Sequence, residues 1–419
     1  MSMQEYREIE HFREELDKCV TCGICQSVCP SFQLTGKELL SPRGRISLLR
    51  RLLDGDIVPE QVSADTFDFC TLCYACQTAC PAGVKTDLLF ISARKTLAES
   101  NGIGRIKKLV FNTLEYPKRV NMAVLMGSLA QSTIGQKNVN FIAGGMSVPS
   151  LRRSPYLNKI PETIPPMGRK RARVALFLGC MSNYVSEEPA RDSIEILRRL
   201  GVEVFTPKDQ VCCGAPAFNN GDFETARNLA KRNLDILKEA NVDAIVSPDA
   251  TCGGAFNHEI PELLKDDPEY GELAREISAK TTDWTSYVVE FLDPVFPESK
   301  ALPISVTIHD SCHLTHTSGK QDNVRNLIAR LPGVRIVEMA DSTICCGFGG
   351  SFMAAYSEES QAWSQKKIDN MVATRTQIAI ASSPGCISTL RSKAEDSNSS
   401  SIRILHPAEL IVERCNWQA

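Results

Sequence analysis

The sequence is poor in aromatic side chains, close to neutral in charge and without long apolar segments. Aromatic residues make up 6% of its 419 residues, and the formal net charge is -3. Few stacking side chains and no basic excess argue against a nucleic-acid partner. No window reaches the roughly 18 apolar residues that a membrane-spanning helix needs. These absences predict a protein that is soluble or peripheral to a membrane.

Nucleotide-binding fingerprints are missing as well. The sequence has no G-x-G-x-x-G after an apolar strand, no Walker loop and no G-x-S-x-G elbow. The chain therefore offers no site for FAD or NAD, and two-electron chemistry is predicted to belong to a partner protein. The polar start, residues 1–17, lacks the apolar segment of a secretory signal. We expect a cytoplasmic protein, with peripheral contact at the inner face of the cell membrane as an alternative.

Cysteine is the unusual residue, with 17 in one chain. Small secreted domains use disulfides in place of a hydrophobic core, but a chain of this length can bury a core of its own. Many cysteines in a reducing compartment indicate thiolate ligands to metal.

Two cysteine runs share the spacing C-x2-C-x2-C-x3-C-P, which is typical of bacterial ferredoxins. Three thiolates of each run wrap around one 4Fe–4S cluster, and the fourth lies about a helical turn further on, where it faces the other cluster. The predicted ligands of one cluster are Cys19, Cys22, Cys25 and Cys80, and those of the other are Cys70, Cys73, Cys76 and Cys29. Zinc knuckles and buried free thiols are the alternatives, but a zinc site would not need to take its fourth cysteine from the other run.

Eight more cysteines fall in an internal duplication. The first unit has Cys180, Cys212, Cys213 and Cys252, and the second has Cys312, Cys345, Cys346 and Cys386. Equivalent cysteines lie 132, 133 and 134 residues apart, and the flanking segments repeat too. A duplication of this period predicts two copies of one domain. Cys415 fits neither pattern and is predicted to be a free thiol.

Each unit alternates strand-like and helical patterns. In the first unit, 174–178, 202–205 and 242–246 are strand-like, and 190–200 and 223–240 are helical. This alternation predicts parallel βαβ units, in which ligands bind beyond the carboxyl ends of the strands. Because every cysteine of the duplication follows a strand, four thiolates would meet at one edge of each sheet and hold a further iron–sulfur cluster. Core packing, a redox disulfide and a zinc site remain alternatives.

The predicted fold class is α+β with α/β, consisting of a helical two-cluster ferredoxin domain followed by two α/β domains with parallel sheets. Segments 87–100, 105–114 and 119–129 have helical spacing, and 143–171 has the composition of a linker. The predicted domains are 1–100 for the two clusters, 101–170 for the helical segment and linker, 171–300 for the first repeated unit and 301–419 for the second.

Two short segments carry further expectations. Ser41 and Pro42 predict a helix start with Ser41 as its cap. Arg43 and Arg45, which follow, would lie near a cluster and raise its reduction potential. The histidine-rich segment 309–316 favours hydrogen bonding to a cluster or partner over a three-histidine zinc site. An ordinary set of histidines at the end of a strand is the alternative.

These motifs resemble, over nearly the whole chain, the iron–sulfur subunit of glycolate oxidase and those of respiratory D-lactate and anaerobic glycerol-3-phosphate dehydrogenases. The resemblance rests on both ferredoxin runs, the segment TGKELLSPRGRI after the first run, both Cys-Cys-Gly motifs and the last Pro-Gly-Cys. It implies a subunit of an oxidoreductase complex. Such a subunit accepts electrons from an FAD-containing 2-hydroxyacid dehydrogenase, of the glycolate or lactate type, and passes them to quinone or another carrier.

The duplicated units, called CCG domains below, also resemble those of heterodisulfide reductase, where each motif ends in C-x-x-C. Here Cys252 is followed by Gly253-Gly254-Ala255, and Cys386 is followed by Ile387-Ser388-Thr389. Each unit therefore offers four cysteines rather than five. This departure favours electron relay, and a heterodisulfide reductase-like subunit with a disulfide-reducing cluster is the alternative function.

Overall fold

The computed structural model describes residues 12–142, 148–297, 302–396 and 402–415. Along the chain, a helical region is followed by two α/β units built on sheets in which parallel pairing dominates. The predicted fold class is confirmed. Residues 143–147 of the predicted linker and residues 1–11 of the polar start lie outside the described part.

Ten α-helices are described before the first strand. They are α1 (Arg13–Asp17), α2 (Ile24–Ser27), α3 (Pro30–Thr35), α4 (Pro42–Leu53), α5 (Asp65–Asp68), α6 (Ala75–Thr78), α7 (Thr86–Asn101), α8 (Arg105–Leu114), α9 (Pro117–Ile134) and α10 (Gln136–Ile142). Helices α7, α8 and α9 correspond to the three segments that were predicted to be helical. None of the described helices combines the length and apolar character that crossing a bilayer requires.

Helix α4 starts as predicted. The Ser41 hydroxyl oxygen accepts a hydrogen bond from the backbone N–H of Gly44 at 3.1 Å, and Pro42 takes the first helical position. Proline suits this position because its missing N–H would have no intrahelical partner. The cap places Arg43 and Arg45 on the first turn of the helix.

The first α/β unit contains a five-stranded sheet in the order β1-β3-β2-β4-β5. Its strands are β1 (Thr163–Ile164), β2 (Ala172–Leu176), β3 (Val202–Phe205), β4 (Ala244–Ser247) and β5 (Thr281–Asp283). Strand β1 is antiparallel to β3, and the other pairs are parallel. Its helices are α11 (Gly179–Tyr184), α12 (Glu188–Arg199), α13 (Ala215–Phe218), α14 (Phe223–Lys238), α15 (Ala250–Gly254), α16 (Ile260–Leu264), α17 (Gly271–Lys280) and α18 (Trp284–Tyr287), with π-helical turns at Ala255–Glu259 and Val288–Leu292.

The second unit contains a parallel four-stranded sheet in the order β7-β6-β8-β9. Its strands are β6 (Ile304–His309), β7 (Val334–Ile336), β8 (Ile378–Ala381) and β9 (Arg403–Leu405). Its helices are α19 (Cys312–His316), α20 (Asp322–Ala329), α21 (Ser351–Ala355), α22 (Ser357–Ala373), α23 (Pro384–Asp396) and α24 (Pro407–Arg414). All four residues of β8 are buried, as expected for a central parallel strand with both faces covered.

The composition of 143–171 indicates a linker, but part of this stretch belongs to the first unit. Thr163–Ile164 is an edge strand, and Tyr156, Leu157 and Ile164 are buried in the core. Proline and glycine mark breaks in regular structure, but they do not show whether apolar neighbours pack against a distant sheet.

One hydrophobic core joins the two α/β units. It contains Val174 of the first unit and Val306 and Leu410 of the second, all fully buried. Helix α24, near the end of the chain, packs against α12. Cys415 lies in this core with 6% exposure and forms no disulfide.

Candidate iron–sulfur sites

The first ferredoxin site is a cavity lined by Cys19, Cys22, Cys25 and Cys80. The first three belong to the run around α2, and Cys80 follows α6 in the second run. The structure thus brings together one of the crossed sets that the spacing predicts.

The second ferredoxin site is a cavity lined by Cys29, Cys70, Cys73 and Cys76. Cys29 is the residue before α3, and it lines this cavity rather than the one lined by the other three cysteines of its run. Cys76 lies at the edge of both cavities, so the two ferredoxin sites are side by side.

Both cysteine loops have the same backbone shape. Thr21 and Leu72, at matching places in the two runs, have φ angles of 56° and 50°. Gly23 and Tyr74 also match, with φ angles of 86° and 62°. Left-handed backbone is costly for residues other than glycine. Its repetition indicates that both loops are shaped to surround the same kind of group.

The spacing of the sulfur atoms distinguishes a cluster from a single zinc ion. With Zn–S bonds of about 2.3 Å, tetrahedral zinc brings its thiolates within about 3.8 Å of one another. Among the described residues, no three cysteines of either ferredoxin site have all their sulfur atoms within 4.8 Å. A cubane spreads its ligands further because each thiolate binds a different corner. The lack of such a compact group among the described residues argues against zinc knuckles at the two ferredoxin sites.

Arg45 provides a second test of whether the second ferredoxin site suits an iron–sulfur cluster. It is fully buried, and its Nε donates to the carbonyl of Thr66 at 2.7 Å. Its two terminal nitrogens have no hydrogen-bond partner among the described residues, and the side chain lines the cavity of Cys29. Burying a guanidinium without an anion is costly. The second ferredoxin site therefore suits an anionic group, such as a cluster bound by four thiolates.

Arg43 lies at the first ferredoxin site. It lines the cavity of Cys22 and Cys25, and its Nε donates to Glu38 Oε1 at 2.6 Å. The side chain of Arg43 is 33% exposed, unlike that of Arg45. Each arginine of this segment thus lies beside one predicted site.

Burial makes several of the ferredoxin thiols reluctant to ionise. It raises the pKa of Cys25 to about 11 and also raises the pKa values of Cys29 and Cys73. Thiols with such pKa values stay protonated at neutral pH until a metal replaces the proton.

The first CCG site joins four cysteines at the carboxyl edge of the first sheet. The side chains form a series of contacts from Cys180 to Cys212, from Cys212 to Cys213 and from Cys213 to Cys252. Hydrogen bonding to Cys212 and burial raise the pKa of Cys180 well above its usual value. Cys180 follows β2 and Cys252 follows β4, as the strand pattern predicts.

The second CCG site is assembled in the same way. The Sγ atoms of Cys346 and Cys386 are 3.0 Å apart, and the side chain of Cys345 hydrogen-bonds to Cys346. Burial, followed by the nearby Cys345 and Cys73, raises the pKa of Cys312 well above its usual value. All 17 cysteines are free, so no disulfide links the adjacent pairs.

The glycine after each cysteine pair is required by the backbone. Gly214 and Gly347 have φ angles of +92° and +91°. A Cβ at Gly347 would lie 2.5 Å from the carbonyl oxygen of Ser360. Glycine therefore lets the chain turn sharply against its neighbours directly after the two cysteines.

The second ferredoxin site and the second CCG site are adjacent. Thr71, between Cys70 and Cys73, has a side-chain hydrogen bond to Cys345. After burial, the nearness of Cys345 is the strongest effect that raises the pKa of Cys73. The rings of Tyr74 and His313 pack edge to face with centroids 5.6 Å apart. The second cysteine run thus packs directly on the second CCG domain.

The histidines of segment 309–316 divide into two kinds. His313 Nδ1 is 3.5 Å from Cys312 Sγ, and His316 Nδ1 is 2.9 Å from Thr78 Oγ1. His313 thus contacts a predicted cluster ligand and His316 contacts the second cysteine run, while hydrogen bonding to a cluster or partner stays a prediction. His309 differs, because neither ring nitrogen has a hydrogen-bond partner in the described part of the chain. Burial lowers the pKa of His309 to about 3, so its ring is neutral.

The sequence analysis overlooked Asp249. This carboxylate is 4% exposed and accepts hydrogen bonds from the Thr251 N–H at 3.0 Å and the Ser383 hydroxyl at 2.9 Å. It lies close enough to Cys252 and Cys386 to affect the pKa values of both thiols. A buried acid three residues before a predicted ligand was visible in the sequence, but its partner in the other unit was not.

Comparison with protein families gives matches at the same segments. Residues 15–84 match the family model of a 4Fe-4S dicluster domain, and residues 174–257 and 306–391 each match that of a cysteine-rich domain. Together with the donor spacing and the orphaned arginine, these matches show that the cofactors are iron–sulfur clusters.

Two relatives illustrate the extent of the similarity. The probable glycolate oxidase iron-sulfur subunit of Bacillus subtilis (strain 168) is 29% identical over 435 residues, covering 98% of both chains. Lactate utilization protein A 1 of Bacillus cereus (strain AH820) is 31% identical over 242 residues, covering 58% of this chain and 99% of the relative.

A solved structure shares the fold. The crystal structure of a hypothetical protein from Helicobacter pylori aligns with a TM-score of 0.54 at 12% identity, covering 100% of this chain and 74% of the other. The motif matches and the near-complete coverage of the relatives lead to one assignment. The chain belongs to the family that contains glycolate oxidase iron–sulfur subunits and lactate utilization protein A.

Proposed function

We propose that this chain is the iron–sulfur electron-transfer subunit of a flavin-linked oxidoreductase acting on a 2-hydroxyacid of the glycolate or lactate type. The observation that supports this proposal most directly is the contact between the second ferredoxin site and the second CCG site. The names of the relatives, a glycolate oxidase subunit and a lactate utilization protein, indicate the substrate class. Oxidation of the acid belongs to a partner flavoprotein, because this chain has no flavin fingerprint.

The ligand sets are part of the proposal. Each crossed ferredoxin set and each set of four CCG cysteines holds one cluster, and clusters accept and release single electrons. Thr71 and the thiols of Cys73 and Cys345 form the contact between neighbouring sites. The chain thereby holds its redox groups in a series that can pass electrons between two ends of the protein.

The burial of most CCG cysteines supports relay over disulfide reduction. Six of the eight are 3% to 6% exposed, and Cys180 and Cys312 are partly buried. A disulfide substrate needs access to a reactive sulfur or iron, whereas electron transfer through the protein needs none. The heterodisulfide reductase-like alternative therefore finds less support in the geometry.

The acceptor end is proposed to be at the first CCG site. A cavity beside Cys180 and Cys212 is lined by Leu114 of α8 and by Pro117 and Val120 of α9. The same two helices expose large apolar side chains, with Leu109 68% and Met126 63% exposed. A quinone, which is apolar and dissolved in the membrane, fits an acceptor that approaches along this surface.

Charge on the same helices fits an anionic membrane. Segment 105–134 has five basic residues and one acidic residue, Glu115. Arg105, Lys118 and Arg119 are exposed there. Apolar side chains flanked by basic ones are typical of helices that lie on a membrane surface. We propose that α8 and α9 make peripheral contact with the inner face of the cell membrane.

The test is anaerobic purification of the chain with its flavoprotein partner, followed by addition of glycolate or D-lactate. We expect about sixteen irons per chain if all four sites hold 4Fe–4S clusters, and cluster signals in electron paramagnetic resonance (EPR) after the acid is added. Colourless, iron-free protein would refute the proposal. Cluster reduction only by dithiol reagents, with turnover of disulfides, would support the reductase alternative instead.

A further inference from the structure

His309 is the last residue of β6, at the carboxyl edge of the second sheet. It pairs with Ala381 of β8 in the parallel register, and its side chain is 2% exposed. Both ring nitrogens lack a hydrogen-bond partner among the described residues. Burying a polar group without a partner is costly. An imidazole held in this way requires a compensating contact that the described polypeptide does not provide.

The sulfur atoms of two buried cysteines lie close to the ring of His309. One ligand atom each from His309, Cys346 and Cys386 lie within 4.8 Å of one another, and all three residues are buried. The imidazole is therefore within reach of a metal group bound by these two cysteines, and no other such group of three occurs in the described part of the chain. The ferredoxin cysteines, by contrast, are spread more widely.

The first CCG unit lacks this feature. Cys180 and Cys312 are equivalent, so the residue equivalent to His309 is Phe177, three positions before Cys180. Phe177 is 1% exposed and packs edge to face against Phe256 with ring centroids 4.8 Å apart. An apolar ring fills this place in one unit, whereas an imidazole without a partner fills it in the other.

We propose that His309 is a direct ligand of the iron–sulfur cluster in the second CCG site, next to Cys346 and Cys386. The inference rests on the proposed function, since it takes the metal to be iron. A neutral imidazole donates a nitrogen lone pair, and the two cysteines bind as thiolates after losing their protons. No electron is transferred in this step, and the first CCG site has no nitrogen ligand of this kind.

The surroundings of His309 suit a ligand. Ligating histidines usually donate their second ring N–H to a carbonyl or carboxylate. The Ser342 backbone is close enough to the ring to influence its pKa, although it completes no hydrogen bond. Lys367, which is fully buried, donates to the carbonyl of Ser342 at 3.1 Å. The carbonyl is thus held in place beside the imidazole.

The decisive experiment uses wild-type protein grown with histidine that carries 15N in the imidazole ring only. Pulsed EPR of the reduced protein should reveal a strong coupling between iron and an imidazole nitrogen. Ring labelling excludes backbone amides, including that of His313. We expect the coupling to disappear in His309→Gln and to persist in the matched control His313→Gln, whose ring lies near Cys312.

The reduction potential of the variant His309→Cys provides a second readout. This variant replaces the imidazole with a thiolate, and imidazole ligands raise cluster potentials. The potential of the second CCG site should therefore fall, while the potentials of both ferredoxin sites stay unchanged.

The outcomes are distinguishable. Full iron content without a strong imidazole coupling would overturn the ligand assignment and leave the proposed function intact. A weak coupling typical of a hydrogen bond would also overturn it. About eight irons per chain, or zinc at the second CCG site, would overturn the assignment together with the proposed cluster content.

Discussion

Asp249 and Ser383 join the two CCG domains across their interface, with the Ser383 hydroxyl donating to Asp249 Oδ1 at 2.9 Å. The two residues are equivalent in the duplication, since each lies three positions before the last cysteine of its unit. The backbone N–H of Ala250 also donates to the carbonyl of Ser382 at 3.3 Å. The duplicated loops therefore bond to each other and bring the two CCG sites together.

Asp249→Ala is expected to lower stability by about 1–3 kcal/mol, because it leaves the partly buried Thr251 N–H and the buried Ser383 hydroxyl without this acceptor. The measurement is the midpoint of anaerobic thermal unfolding at one scan rate. Ser383→Ala is the matched variant and should have a smaller effect, since Asp249 keeps its bond to Thr251. Equal midpoints for wild type and Asp249→Ala would contradict this account.

Arg45→Gln is expected to lower the reduction potential of the second ferredoxin site by an amount on the order of tens of millivolts. Removing a buried positive charge makes the addition of an electron less favourable. Redox titration followed by EPR measures the shift. Arg43→Gln is the control and should have a smaller effect on the first site, because Arg43 is partly exposed and paired with Glu38. A larger shift for Arg43→Gln would show that burial is not the deciding factor.

Cys346→Ser is expected to remove the EPR signal of one CCG cluster and to leave the two ferredoxin signals unchanged. The reason is that Cys346 contacts only the second CCG set among the predicted ligand sets, through Cys345 and Cys386. Iron analysis should show a loss of about four irons. Cys415→Ala, at a thiol in the apolar core, serves as the control and should keep the full iron content. An unchanged spectrum for Cys346→Ser would mean that this site holds no cluster.

Cys22→Ser is expected to abolish electron transfer from the flavoprotein and to destabilise the ferredoxin part, because cluster binding is coupled to folding. Turnover with the partner flavoprotein and iron content are the measurements. Wild-type turnover by this variant would exclude Cys22 as an essential ligand.

Exchange of Leu109 and Met126 for glutamate is expected to weaken binding to anionic vesicles at least about tenfold, since each apolar side chain contributes roughly 1.5–3 kcal/mol when buried. Sedimentation with vesicles of phosphatidylglycerol and phosphatidylcholine measures the binding. Val372→Glu is the control, because Val372 is 41% exposed on α22 and lies outside α8 and α9. Equal binding by the double variant and the control would remove the support for membrane contact.

The ion pair between His258 and Asp87 predicts a pH-dependent attachment of α7 to the first CCG unit. The hydrogen bond to Asp87 raises the pKa of His258. Burial is the largest effect and opposes ionisation of Asp87, but the hydrogen bond and charge of His258, together with hydrogen bonds from Leu88 and Gln77, outweigh it and lower the pKa of Asp87. The stabilisation is complete below the ordinary histidine pKa of about 6.5 and above the ordinary aspartate pKa of about 3.9. It is lost as the pH rises through the raised pKa of His258.

A double-mutant cycle with His258→Gln and Asp87→Asn tests this pair. Thermal midpoints at pH 6.0 should reveal a coupling between the two residues that becomes smaller at pH 8.5. A coupling of equal size at both pH values would contradict the assignment.

Local sequence patterns predicted the ferredoxin loops and the βαβ units well. The spacing of the two cysteine runs placed Cys80 with the first set and Cys29 with the second, and the structure assembles these sets around two cavities. The Ser41 cap and strand β3 also lie where the pattern put them. These features depend on residues within a few positions of one another, or on an internal repeat, and a single sequence displays both.

Long-range packing determined the features that the sequence patterns did not predict. The edge strand β1, the complete burial of Arg45, the bond between Asp249 and Ser383 and the approach of His309 to Cys346 join segments far apart in the chain. The sequence by itself determined which atoms can bind metal, because covalent spacing limits how a short loop can wrap a group. Only the tertiary structure decided which sites are neighbours and which buried groups face them, because those contacts arise from the packing of whole elements on a shared core.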